Sequence, residues 1–93
     1  VDAGIGGATA ERVGRVLGEL ATEHQVLCIT HLPQIAAFAD RHFVVRKEAK
    51  GGRTRTRVGE VRDEARVDEL ARMAGGETVT DVTREHARAL LQR

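Results

Sequence analysis

Residues 25–30, QVLCIT, are apolar on both alternating faces, and the run ends at His31-Leu32-Pro33. A strand with one wet face alternates polar and apolar side chains, whereas a strand covered on both sides reads as a continuous apolar run. The stretch is the right length for a strand and too short for a helix. It therefore predicts a central strand of a parallel α/β sheet, with helices on both faces. Pro33 lacks the N–H that a ladder needs and suits the first turn of a helix, so a short helix is expected from Pro33 to about Asp40.

The flanking segments agree with an α/β layout. From Ala8 to about Glu23 the chain reads as a helix, with Val13, Val16, Leu17 and Leu20 on one face and Glu11, Arg12, Arg15 and Glu19 largely on the other. Thr9 or Gly7 is placed to cap it. Gly14 and Gly18 each cost about 1 kcal/mol of helix propensity, a cost more easily met where another backbone packs close. A helix feeding a buried strand is half of a βαβ unit, whose first strand would precede Val1. The opening VDAGIGG, with no methionine and no element before its glycines, leads to the expectation that the chain is a piece of something longer.

Residues 42–61 predict a β-hairpin, HFVVRK and RTRTRVGEV flanking Ala49-Lys50-Gly51-Gly52. Asp63 is expected to cap a helix to about Ala74, with Val67, Leu70, Ala71 and Ala74 inward and Gly75-Gly76 as its stop. A last amphipathic helix starts near Thr80 and carries Ala87, Leu90 and Leu91. With no repeats and no long linker, residues 1–93 form a single, partial α/β domain.

Composition narrows the function classes. A chain of 93 residues buries only about 60–65% of its unfolded surface, so the core is thin. No apolar run approaches the roughly 20 residues of a membrane span. Phe38 and Phe43 are the only aromatic residues, too few for a platform that stacks single-stranded bases. Cys28, the sole cysteine, excludes an internal disulfide and reads as a small core residue in a reducing compartment. No basic-then-apolar leader marks the chain for secretion.

His31 is the first candidate site. Ligands of open α/β sheets bind beyond the carboxyl ends of the strands, where a histidine on a turn fixed by Pro33 can aim an N–H at an anion. A purely structural histidine is the plain alternative. His24, Cys28 and His31 are loosely spaced like metal ligands, but a closed zinc site needs a fourth. Cys28 and His31 do not suit a nucleophile pair, because residues three apart on a strand face opposite ways. The loop DAGIGGAT precedes a helix and could cradle phosphate, or be no more than a tight turn. It matches neither GxxxxGK[ST] nor GxGxxG.

The hairpin region carries Arg41, Arg46, Lys47, Lys50, Arg53, Arg55 and Arg57, with Glu48 the one acid set against them. Arg53, Arg55 and Arg57 alternate with threonines and so share a face. They suit salt-dependent contact with a phosphate backbone. Protection of an edge strand against aggregation is the commoner use of such charges. Mixed charges such as Asp68/Arg72 and Glu85/Arg88 read as solvated faces of the last two helices.

VDAGIGGATAERVG, followed by QVLCITHLPQIAAFADRHFVVRK, closely resembles the C-terminal end of the RecN family. These are bacterial DNA double-strand-break repair proteins of the SMC-like branch of ABC-type ATPases. The likeness continues through the hairpin, DELARMAGG and the final helix, so it spans essentially the whole chain. It implies a fragment of a P-loop ATPase head that binds ATP and Mg2+ and acts in recombinational repair. By that resemblance, Asp2, Ala3, Gly4, Ile5, Gly6 and Gly7 (residues 1–7) look like the D-loop, which runs along the interface of two paired heads. His31 looks like the switch histidine that approaches the γ-phosphate, sensing it and stabilising the transition state rather than attacking it. Thr30, Pro33 and Gln34 would hold its turn.

The implied partners are the rest of the same head and its coiled coil, a second head in a homodimer, and DNA ends or single-stranded regions, with Arg46, Lys47, Arg53, Arg55 and Arg57 as possible contacts. The implied location is the bacterial cytoplasm, at the nucleoid, with no membrane. The P-loop, the signature motif and the Asp-Glu pair of the Walker B element are absent from these residues, so the piece alone is expected to be inactive. The alternative is a non-enzymatic nucleic-acid-binding module that uses the basic hairpin.

Overall fold

Gly6, rather than Gly7 or Thr9, is the N-cap of helix α1 (Gly7–Leu20) in the computed structural model, which describes residues 6–75 and 78–92. Its backbone is extended, and its carbonyl accepts the first helical bond from Ala10 N at 2.8 Å. Pro33 opens α2 (Pro33–Ala36), as its missing donor allows. Strands β1 (His42–Lys50) and β2 (Arg53–Val61) pair antiparallel from His42↔Val61 to Lys50↔Arg53. Gly51 and Gly52 join them with φ of 59° and 76°, the two positive values that a type I′ turn demands. Helix α3 (Asp63–Gly75) follows, its first residue Asp63 at φ 52°. Helix α4 (Asp81–Leu91) is capped by Thr80, whose hydroxyl accepts from Thr83 N while the Thr83 hydroxyl accepts from Thr80 N.

The core lies where α2, α3 and α4 meet. Ala36, Ala37, Val67, Leu70, Ala71 and Ala87 are buried there, with Met73, Val79, Leu90 and Leu91 packed around them. Ala74, expected on the inner face of α3, is exposed, and Glu69 is buried instead. The solvated charges of α3 and α4 pair mainly between the helices, Arg84 with Asp68 at 2.9 Å and Arg88 with Glu64 at 3.1 Å. Asp68, Arg72, Glu85 and Arg88, read as solvated charges of these faces, are all exposed. Arg72 pairs within α3, with Glu69.

Helix α1 reaches this core chiefly through α2. Its buried edge is Ala10 and Gly14, not the larger stripe, and Val16 and Leu20 stay 54% and 47% exposed. The reason is the close approach of α2. A Cβ on Gly14 would run into the Phe38 ring and sit 3.1 Å from the Gln34 carbonyl oxygen, so the contact tolerates only glycine without movement. The expectation that a helical glycine marks close packing holds at Gly14.

The expected buried strand does not form. Residues 25–30 carry no strand pairing, and Leu27 and Ile29 are 89% and 87% exposed. Among the described residues the only sheet is the antiparallel hairpin, not a parallel sheet. A strand exists through the ladder it makes with a neighbour, and none of the described residues offers one. The chain is correspondingly open. Its radius of gyration is 14.1 Å, against about 12 Å expected for a compact domain of this length. It exposes 7028 Å², where a folded protein of 10.1 kDa is expected to expose about 5,300 Å². Among the described residues, no helix is long and apolar enough to cross a membrane.

Candidate functional site

His31 sits at the end of the open segment, exposed, on a turn that the residues after it hold firmly. Thr30 Oγ1 accepts a hydrogen bond from Leu32 N at 3.0 Å, which bends the chain back over itself. Leu32 is the N-cap of α2, and its carbonyl accepts from Ile35 N and Ala36 N, each at 3.1 Å. Pro33, Ile35 and Ala36 are buried, so the turn is tied to the core through α2. Thr30 and Pro33 thus both lie in the turn that carries His31.

The other end of α2 is fixed by Arg66, a residue that belongs to no motif of the sequence. One terminal nitrogen of Arg66 donates to the carbonyl oxygens of Ala36, Ala37 and Ala39 at 3.3, 3.4 and 2.7 Å. A guanidinium here satisfies carbonyls that the short helix leaves open, and its charge suits a helix C-terminus. Burial holds the Arg66 pKa below its usual value, with Asp40 opposing the shift. His42 lies in the same environment. Burial first and the Arg66 charge second hold its pKa down, against the carboxylate of Glu69.

Of the expected interface loop, Gly6 and Gly7 are described, while Asp2, Ala3, Gly4 and Ile5 lie outside the described residues. A Cβ on Gly7 would lie 3.9 Å from Gln34 Nε2, so the start of α1 comes close to the third residue after His31. Gln34 Oε1 is buried with no hydrogen-bond partner among the described residues. An open depression of about 440 Å³ lies beside this turn, lined by Leu32, Pro33, Gln34, Met73, Val82 and His86, and does not include His31. Among the described residues, no three His, Cys, Asp or Glu side chains come together as metal ligands. Cys28 is half-buried and free, outside any strand.

At the base of the hairpin, Glu60 accepts two hydrogen bonds from Arg41, at 2.9 and 3.2 Å, and one from Arg62 at 2.9 Å. These donors pull its pKa down to about 2. Arg41 also lies over the Phe43 ring, 5.1 Å from its centre. Glu48 is therefore not the only acid among these cations, and Arg41 is committed to the base. Nearer the turn, register puts Arg46, Arg53, Arg55 and Arg57 on one face together with Lys50, but Lys47 on the other.

No family model matches the chain. Curated relatives match it nearly end to end. It is 48% identical over 92 residues to the DNA repair protein RecN of Streptomyces coelicolor, covering 99% of this chain. The corresponding protein of Bacillus subtilis is 45% identical over 93 residues, 100% of the chain, and that of Mycobacterium tuberculosis H37Rv 47% over 92 residues, 99% of it. The chain is a homologue of RecN. It spans about a sixth of the length of these relatives, 16%, 16% and 15% respectively. The likeness to the RecN family read from VDAGIGGATAERVG and THLPQIAAFAD is thus borne out over the hairpin and the last helices as well.

Proposed function

We propose that the chain is the C-terminal segment of a RecN-like ATPase head acting in recombinational repair of DNA breaks. In this reading, residues 2–7 supply the D-loop at the interface with a second head, and His31 supplies a donor to the γ-phosphate. The observation that carries it is the run at residues 25–30. It has the composition of a doubly covered strand, lies uncovered with Leu27 and Ile29 exposed, and leads into His31 on an anchored turn. The excess exposed surface supports the same conclusion, since a lobe made to be completed by other segments keeps such surface until they join. A strand inserted into a sheet would place His31 at its carboxyl end, where open α/β sheets bind ligands.

In this reading most contacts to ATP and Mg2+ come from parts of the head outside this chain. His31 is the residue offered here toward phosphate. Phosphoryl transfer is catalysed chiefly by positioning and charge stabilisation, so a single placed donor matters.

The test is His31→Ala in the complete ATPase. Turnover is expected to fall far more than ATP affinity, the mark of an interaction realised in the transition state. Unchanged turnover removes His31 from the reaction. The isolated chain is expected to show negligible hydrolysis, and Mg2+-dependent activity abolished by His31→Ala would show that it needs no complement.

A further inference from the structure

The hairpin beyond its base is exposed on both sides, and its two faces differ in kind. Residues directly opposite in an antiparallel pair share a face. One face therefore carries Arg46 opposite Arg57, Glu48 opposite Arg55, and Lys50 opposite Arg53. The other carries Val45 opposite Val58, Lys47 opposite Thr56, and Ala49 opposite Thr54. Edge protection does not require this sorting, because a charge on either face deters another strand. It also does not require like charges to face each other at Arg46/Arg57 and Lys50/Arg53, an arrangement that destabilises a ribbon. The acid on that face, Glu48, pairs with Arg57 at 3.3 Å and leaves the remaining cations in excess.

We propose that this face is a contact surface for the phosphate backbone of duplex DNA. Successive side chains on one face of a strand are about 6.8 Å apart, so the row Arg53, Arg55, Arg57 spans about 13–14 Å. A duplex rises that far along its axis in roughly four base pairs, so neighbouring arginines are spaced to meet separate phosphates along the backbone. The face holds no aromatic side chain, and Phe43 is on the opposite face under Arg41, so single-stranded bases have nothing to stack on. Lys47 is on the wrong face and contributes little. The choice of DNA rests on the repair role proposed above. The electrostatic argument does not depend on ATP or on His31.

The experiment uses this chain without nucleotide and follows the anisotropy of a labelled blunt duplex and of a single strand of equal length. One variant carries Arg55→Gln and Arg57→Gln, and a second carries Thr54→Glu and Thr56→Glu. Both lower the net charge by the same amount, on opposite faces, and all of these side chains are exposed, so neither variant disturbs the core. The arginine variant is expected to bind duplex at least about tenfold more weakly, with a log–log salt slope shallower by about 2, or 0.9 per lost phosphate contact. The threonine variant is expected to stay within about threefold of the parent, and Arg55→Lys with Arg57→Lys to retain most of the affinity. Equal losses in the two charge-matched variants, binding indifferent to salt, or tighter binding of the single strand would each overturn the assignment. His31→Ala in this chain is expected to leave duplex binding intact, whatever it does to turnover in the complete ATPase, so failure of the catalytic reading and failure of this one are told apart.

Discussion

Two parts of this chain both carry apolar side chains suited to an interior, and they end in opposite conditions. The α3–α4 layer closes on itself: Leu70, Ala71 and Ala87 are fully buried, and Arg84 and Arg88 tie the two helices across their outer faces. The run at residues 25–30 and the outer stripe of α1, with Val16 and Leu20, remain open to solvent. Helices satisfy their own backbone hydrogen bonds and need only a face to pack against, whereas a strand needs a neighbour before its backbone is satisfied at all. The closed region is therefore complete within this sequence. The open one has the composition of an interior without the elements that would make it one.

The largest expected effect tests that contrast directly. Leu70→Ala removes a side chain with no exposed surface and is expected to cost about 2–5 kcal/mol, read from urea unfolding of the chain. Leu27→Ser, at a position 89% exposed, is expected to stay within about 0.5 kcal/mol. Comparable losses from the two would break the comparison, because Leu27 would then be buried in solution. In the complete head the proposal reverses the second result, and Leu27→Ser becomes strongly destabilising.

Next in size is the seam between α1 and α2. Gly14→Ala sets about 1–3 kcal/mol of overpacking against Phe38 against a helix-propensity gain of about 1 kcal/mol, so a net loss is expected. At Gly18 a Cβ meets Phe38 atoms at 3.8 Å or more, an ordinary contact. Gly18→Ala should therefore stabilise, by up to about 1 kcal/mol. Thermal unfolding of the two variants gives the signs, and equal signs would mean that α1 does not rest on α2 by its small-residue edge.

These residues also mark how much of the structure could be read in advance. The hairpin was legible because alternation and Gly51-Gly52 are local signals that need no partner outside the segment. The extents of the last two helices and most of their apolar positions were legible for the same reason, although Asp63 is the first residue of α3 and not its cap, and Ala74 is exposed. The strand at residues 25–30 was read from composition, which reports the surroundings a segment is suited to, not whether those surroundings are supplied. Arg66 could not be foreseen, since nothing local links it to carbonyls 27 to 30 positions earlier. The pairing of Arg84 with Asp68 likewise depends on how α3 and α4 cross. At the site, the short helix opening at Pro33 was legible, whereas the buried Gln34 Oε1 and the approach of Gly7 emerged only from the packing.

A smaller effect concerns the border between the closed layer and the hairpin. The fold holds the His42 pKa below its ordinary value of 6.5, through burial first and Arg66 second, with Glu69 opposing. The folded chain thus favours the neutral ring. Above about pH 6.5 this contribution is fully present, and it declines as the pH falls toward the folded pKa, because the unfolded chain takes up the proton first. Glu60, pulled down to about 2, loses its contribution only as the pH falls from 4.5 through that value, so the two windows are separate. Unfolding midpoints followed from neutral pH to pH 5 should fall in the parent and flatten in His42→Gln. A parent profile already flat there would mean that His42 is not held in this environment.

The smallest effect runs against intuition and sharpens the contrast from the hairpin's side. There one face of the chain projects charge, and Arg46 faces Arg57 across the ladder. Arg46→Thr removes that repulsion without touching the pair between Arg57 and Glu48, and it places a β-favouring residue on the strand. Stability of the ribbon should rise by a few tenths to about 1 kcal/mol, seen as slower amide exchange at Glu48 and Arg55, the next hydrogen-bonded pair of the ladder. Duplex affinity of the same variant should fall. If exchange is unchanged or faster, Arg46 belongs to the architecture of the ribbon. A rise in stability together with a loss of binding would mean that this cation is held at a structural cost for the polyanion it meets.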